Sequence, residues 1–143
     1  MRDDPTMQPS KAGVDVNLCV KDIDRSLEFY VEVLGLEVVE TYPSGPGTTH
    51  RLRFGDSFVK LTDPTTPPGG EPGAVGIDGA VGIRAVTFQI DDFLETWEAV
   101  MGAGAPVHME QSAYPKAGIR VGMVLDPDGN IVELLQRGAP WEA

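Results

Sequence analysis

Cysteine and histidine are nearly missing from this 143-residue chain: Cys19 stands alone, and His50 and His108 are the two imidazoles. A single thiol excludes an internal disulfide framework and thiolate-held zinc clusters. Basic residues are also scarce, 11 against 22 acidic, for a formal net charge of −11. An acidic surface repels phosphate backbones and anionic lipid, so neither nucleic acid nor a membrane is expected as a partner. No uninterrupted apolar run approaches the ~20 residues of a membrane-spanning helix, and the opening MRDDPTMQPSKAG has no signal-peptide core. The phosphate-cradling glycine loops, the G-x-S-x-G elbow and the H-E-x-x-H pair are absent. These exclusions leave one cytoplasmic domain of ordinary composition, 41% apolar and 23% charged, long enough to fold without a covalent or metal staple.

Residues 1–12 are polar and read as a disordered tail. In VDVNLCV, Val14, Val16, Leu18 and Val20 alternate with Asp15, Asn17 and Cys19, the pattern of a half-buried strand. Asp22 then caps a helix in which Ile23, Leu27, Tyr30 and Leu34 recur at helical spacing until Gly35. Residues 37–42, 49–54 and 58–61 read as three further strands, the last two joined by a Gly55-Asp56 turn. A proline- and glycine-rich linker follows over 65–81.

Beyond it the pattern begins again. IRAVTFQIDD repeats VDVNLCVKD, Asp92 caps a second helix through Trp97 and Met101 to about Gly102, and strands are expected over 107–110, 120–125 and 130–135. An Asp126-Pro127-Asp128-Gly129 turn takes the place of Gly55-Asp56. The offsets, 70 residues from Asp22 to Asp92 and 73 from Lys60 to Glu133, mark two copies of one βαβββ unit, 13–64 and 82–138, with a short tail at 139–143. The expected class is α+β, with two curled mixed sheets enclosing a cleft. By period-2 parity the cleft is lined by Asp15, Asn17, Cys19, Phe58, Lys60, Thr62, Ala85, Thr87, Gln89, Ile131, Glu133 and Leu135. Tyr42 and Tyr114 flank glycine-rich segments, Pro43–Thr48 and Lys116–Gly118, that are candidate covering loops. Trp97 reads as core, and Trp141 as cover for an edge or a partner surface.

The segments VNLCVKDIDRSLEFYVEVLGLEV and LDPDGNIVELLQ resemble the vicinal oxygen chelate superfamily, which includes glyoxalase I, bleomycin resistance proteins, extradiol dioxygenases and methylmalonyl-CoA epimerase. The resemblance covers about residues 13–138 and implies that family's glyoxalase-like fold, a small organic ligand and a homodimer. Metal-dependent members hold one divalent ion with four side chains, typically two His and two Glu or Gln, on the first and last strands of each module. Carried over, those positions are Asp15, Lys60, Ala85 and Glu133, and only Glu133 keeps its usual identity. Alanine has no donor atom. A lysine must first lose its proton, at a cost of about 4.6 kcal/mol at pH 7, before it ligates. No metal or other cofactor is therefore expected; a divalent ion held by Glu133 and Asp15, with His50 as a third donor, is the alternative.

Two kinds of function compete. One is sequestration of a ligand in the cleft without metal, as in bleomycin resistance proteins; the overall acidity favours a cationic ligand through long-range attraction. The other is catalysis. A metal-independent isomerase, lyase or cyclase would use Lys60 to steady an enolate-like oxygen and Glu133 or Asp15 as base. A metal-dependent lyase or dioxygenase is its second form. Cys19 has no histidine nearby in sequence to activate it as a nucleophile.

Overall fold

A computed structural model describes residues 7–70, 76–113 and 118–138. Residues 1–6, 71–75, 114–117 with Tyr114, and 139–143 with Trp141 lie outside the described residues. The chain divides into two compact units, residues 1–21 with 36–68, and residues 22–35 with 69–143.

The first unit holds β1 (Val16–Cys19), β2 (Glu37–Pro43), β3 (Gly47–Phe54) and β4 (Ser57–Pro64). They form one sheet in the order β1-β4-β3-β2, with β1 parallel to β4 and the other pairs antiparallel. Leu52, Val59 and Leu61 are buried on one face and Val20 and Leu36 at strand ends, while Asn17 and Cys19 stay exposed. The alternation read in the first strand thus holds from Val16 to Val20, whereas Val14, ahead of β1, is exposed.

The second unit repeats the plan with β5 (Ala85–Gln89), β6 (Val107–Ala113), β7 (Ile119–Leu125) and β8 (Ile131–Arg137) in the order β5-β8-β7-β6, again with the first and last strands parallel. All eight expected strands are present, each shifted by a few residues at its ends. The α+β class and the doubled strand plan therefore hold. Helix α2 (Phe93–Gly102) covers this sheet through Phe93, Trp97 and Val100, all buried. Its predicted cap differs: the Asp92 side chain makes no capping bond, and Gln136 Oε1 accepts from the Phe93 N–H instead at 2.9 Å.

The first helix departs further from expectation. Asp22 caps it as predicted, its Oδ1 accepting from the Asp24 and Arg25 N–H groups. Only Ile23–Leu27 (α1) is α-helical; Glu28–Val33 winds as a π-helical turn before Gly35 reverses the chain at φ 87°. Ser26, Phe29 and Tyr30 are buried and Ile23, Leu27 and Leu34 are only half-buried, a stripe rotated from the expected one. This segment groups with the second sheet, not with the strands of its own repeat. Tyr30 anchors it there, donating its hydroxyl to Asp126 Oδ2 at 2.6 Å. Asp126 also accepts from the Asp128 and Asn130 N–H groups and from the Asn130 amide, so the Asp-Pro-Asp-Gly turn is a structural clasp.

Trp97 packs against Gly122 of β7: a Cβ built at Gly122 would fall 2.6 Å from the indole Cζ3. The indole is also stacked on Phe93, with ring centroids 5.9 Å apart. Replacing Gly122 by alanine is expected to overpack this contact and destabilise the protein by about 1–3 kcal/mol, lowering the Tm measured by circular dichroism. An unchanged Tm would contradict the packing of Trp97 on β7.

Candidate functional site

In the first unit the register sets the site. Asn17 of β1 lies opposite Lys60 of β4, and Lys60 lies opposite Arg51 of β3. Residues in register share a face, so these three side chains stand in one row across the sheet. The next row holds Cys19, Thr62, Thr49 and Tyr42. Thr62 Oγ1 donates to Asn17 Oδ1 at 2.8 Å and links the two rows. Arg51 continues the first row by pairing with Glu40 of β2 at 3.2 Å.

Phe58 precedes Lys60 by two residues and shares its face. Its ring carries Arg51 Cζ 3.7 Å, Lys11 Nζ 4.6 Å and Arg53 Cζ 5.7 Å from its centroid, three cation–π contacts on one aromatic. Arg51, Arg53 and Lys11 were not singled out from the sequence. The signal is present in β3, where Thr49, Arg51 and Arg53 alternate with His50 and Leu52.

Asp15 lies just ahead of β1, and its Oδ1 accepts from the Lys11 ammonium at 2.5 Å and from the Phe58 N–H at 2.8 Å. The Lys11 ammonium and the Phe58 N–H together hold the Asp15 carboxyl below its usual range, with Lys60 acting only through its field. Asp15 is thus paired with Lys11, not directly with Lys60. His50 is out of phase with this row. It lies opposite Leu61 and Thr41, on the other face of the sheet, with Nδ1 3.3 Å from Thr41 Oγ1. His50, expected as a third donor to an ion held by Glu133 and Asp15, thus stands one residue of strand phase away from the Lys60 row.

In the second unit Ala85 lies opposite Ile131, Thr87 opposite Glu133 and Gln89 opposite Leu135. Thr87 donates to Glu133 Oε1 at 2.9 Å, and Met123 flanks Glu133 on the other side. Ile131 is buried, as are Thr49 and Thr62 in the first unit, so none of the three is an open lining residue. Among the described residues, no group of three or more His, Cys, Asp or Glu side chains is placed to hold a metal ion. None of the described helices is long and apolar enough to cross a membrane. A cavity of about 230 Å³ that the sequence did not suggest opens in the second unit, lined in part by Arg25, Phe29, Val33, Leu125 and Pro127.

Residues 14–134 match the family model described as the Glyoxalase/Bleomycin resistance protein/Dioxygenase superfamily. The chain belongs to that superfamily. It is 30% identical over 126 residues to a lactoylglutathione lyase of Neisseria meningitidis, covering 84% of this chain and 86% of that one. It is 27% identical over 125 residues to a probable lactoylglutathione lyase of Vibrio parahaemolyticus, covering 83% and 86%. Among solved structures it is similar to TnmS3, an antibiotic-binding protein of a Streptomyces species, at 25% identity and a TM-score of 0.65, covering 92% of this chain and all of that one. Members of this superfamily are thus named both as enzymes and as binders.

The Asp15 clamp has a pH signature. A carboxyl held below its usual range stabilises the folded state above the unfolded value, and that contribution is lost as pH falls through the folded value. Carbon-detected NMR is expected to show Asp15 titrating below an unperturbed aspartate, and Lys11→Ala to move it upward. A titration at the ordinary value in both proteins would contradict the clamp.

Proposed function

We propose that this superfamily member binds a small organic ligand on the open face of its first sheet without a divalent ion, as a sequestering protein. One observation carries the reading: in the row where a metal-dependent relative is expected to place a ligating side chain, Lys60 stands in register between Asn17 and Arg51. The donors do not fit a divalent ion. Asp15 Oδ1 is taken by an ammonium and a backbone N–H, Lys60 brings positive charge, Ala85 has no donor, and Glu133 accepts from Thr87. The likeness to an antibiotic-binding protein supports the reading. The homodimer and the cytoplasmic setting belong to it as well, supported by the family resemblance and by an exposed thiol that suits a reducing compartment.

The relatives named lactoylglutathione lyase favour a second reading, a metal-dependent lyase. Against it stands the same donor set. A metal-free isomerase, lyase or cyclase would rest on Lys60 with Glu133 as base, since the Asp15 carboxylate is already engaged.

A thermal-shift screen of oxygen-rich aromatic compounds, run with and without chelator, separates these readings, because a ligand that binds the native state raises its apparent stability. The expected outcome is a stabilising compound whose effect survives EDTA and whose affinity falls about tenfold in Lys60→Met. Stabilisation that disappears in EDTA and returns with added zinc, nickel or manganese would contradict the proposal.

A further inference from the structure

The chain is acidic overall, yet the open face of the β1-β4-β3-β2 sheet gathers four of its eleven basic residues. Lys11, Arg51 and Arg53 surround Phe58, and Lys60 follows Phe58 on the same face. The carboxylates nearby are matched to three of the four. Asp15 pairs with Lys11 and Glu40 with Arg51, while Glu37 lies opposite Arg53 in the strand register. Lys60 is different. Its neighbours on the two flanking strands are an amide, Asn17, and another cation, Arg51.

Like charges directly opposite each other on a sheet are unfavourable, and the cost is relieved by an anion seated between them. The surroundings are built to seat one. Thr62 donates to the Asn17 carbonyl oxygen, which turns that amide's N–H donors away from Thr62. Arg51 is oriented from two sides, by Glu40 and by the Phe58 ring. Its side chain is 36% exposed, so guanidinium N–H groups stay accessible. An ammonium, a guanidinium and an amide therefore share one row, beside an aromatic wall whose ring Arg51 and Lys11 fix in place.

We infer that this face selects anionic aromatic ligands, with a carboxylate or phenolate oxygen held between Lys60, Arg51 and the Asn17 amide and the planar body beside the Phe58 ring, whose face Arg51 covers. The inference rests on the proposed ligand-binding function and names the charge of the ligand. It also reverses the expectation that overall acidity favours a cation. Long-range attraction governs encounter, whereas bound-state preference is set by groups within a few ångströms, where screening by salt is weakest.

Calorimetric titration of the full chain with three matched probes tests it: naphthoate, neutral naphthamide and cationic naphthylmethylammonium, each with and without EDTA. Naphthoate is expected to bind at least about tenfold more tightly than either analogue, more so at low salt. Lys60→Met and Arg51→Gln should each remove most of that preference and leave naphthamide affinity within about twofold. Arg25→Gln on α1, an equal charge change outside this sheet, should leave the preference intact. Circular dichroism and the retained naphthamide affinity report that the variants fold. Equal binding of all three probes, tighter binding of the cation, or an anion preference that survives both sheet substitutions would overturn the charge assignment while ligand binding itself stands. Binding of all three that is abolished by EDTA would instead overturn the metal-free reading, and binding of none would overturn both.

Discussion

The parallel register of β1 on β4 seats Asn17 beside Lys60, and the antiparallel register of β3 on β4 seats Arg51 on its other side. Because side chains alternate between faces within β3 and β4, that one alignment decides which of their residues share this face, while a bulge between Val38 and Glu40 resets the phase of β2. Phe58 and Thr62 come with Lys60, Thr49 and Arg53 come with Arg51, and His50 is sent to the opposite side with Leu52 and Leu61. A slip of one residue in β4 would bury an ammonium and expose Val59 and Leu61. The apolar face that specifies the register thus also fixes the polar row. The same first-to-last parallel pairing in the second sheet sets Thr87 beside Glu133 and Ala85 beside Ile131.

The strand plan was legible in the sequence because both repeats write burial as alternation, and because Asp22 and Gly35 punctuate the first helix by local rules that hold in the structure. The π-helical turn was not legible. Ile23, Leu27, Tyr30 and Leu34 fit an ideal helical stripe, but the stripe that is buried runs through Ser26, Phe29 and Tyr30. The rotation accompanies a bond from Tyr30 to Asp126, 96 residues away, which no local pattern encodes. The same long-range contact explains why residues 22–35 group with the second sheet. Asp92 failed as a cap for a related reason: Gln136, from β8, reaches the helix N-terminus.

The site was legible in part. Parity placed Asn17, Cys19, Phe58 and Lys60 on one face, and the register confirms their common phase. Arg51 and Arg53 are readable from the alternation in β3, but they lie outside the first and last strands, where the family's ion positions fall. The role of Lys11 was not readable, since it depends on Asp15 accepting from both Lys11 and the Phe58 N–H. Overall charge misled in a general way. A sum of −11 over the whole chain describes the far field, and it says nothing of a row in which two cations are neighbours.

The superfamily places different chemistry on one scaffold, so membership leaves function to the side chains. On the proposed reading an ammonium and a methyl group, at Lys60 and Ala85, stand where the resemblance to metal-dependent members implies donors, which ties the account to a single property of the protein as isolated. Elemental analysis of the chain purified without chelators measures it directly. The account predicts only sub-stoichiometric traces of zinc, nickel, iron and manganese, unchanged by Glu133→Gln. One tightly held ion per chain, lost in that variant, would contradict it.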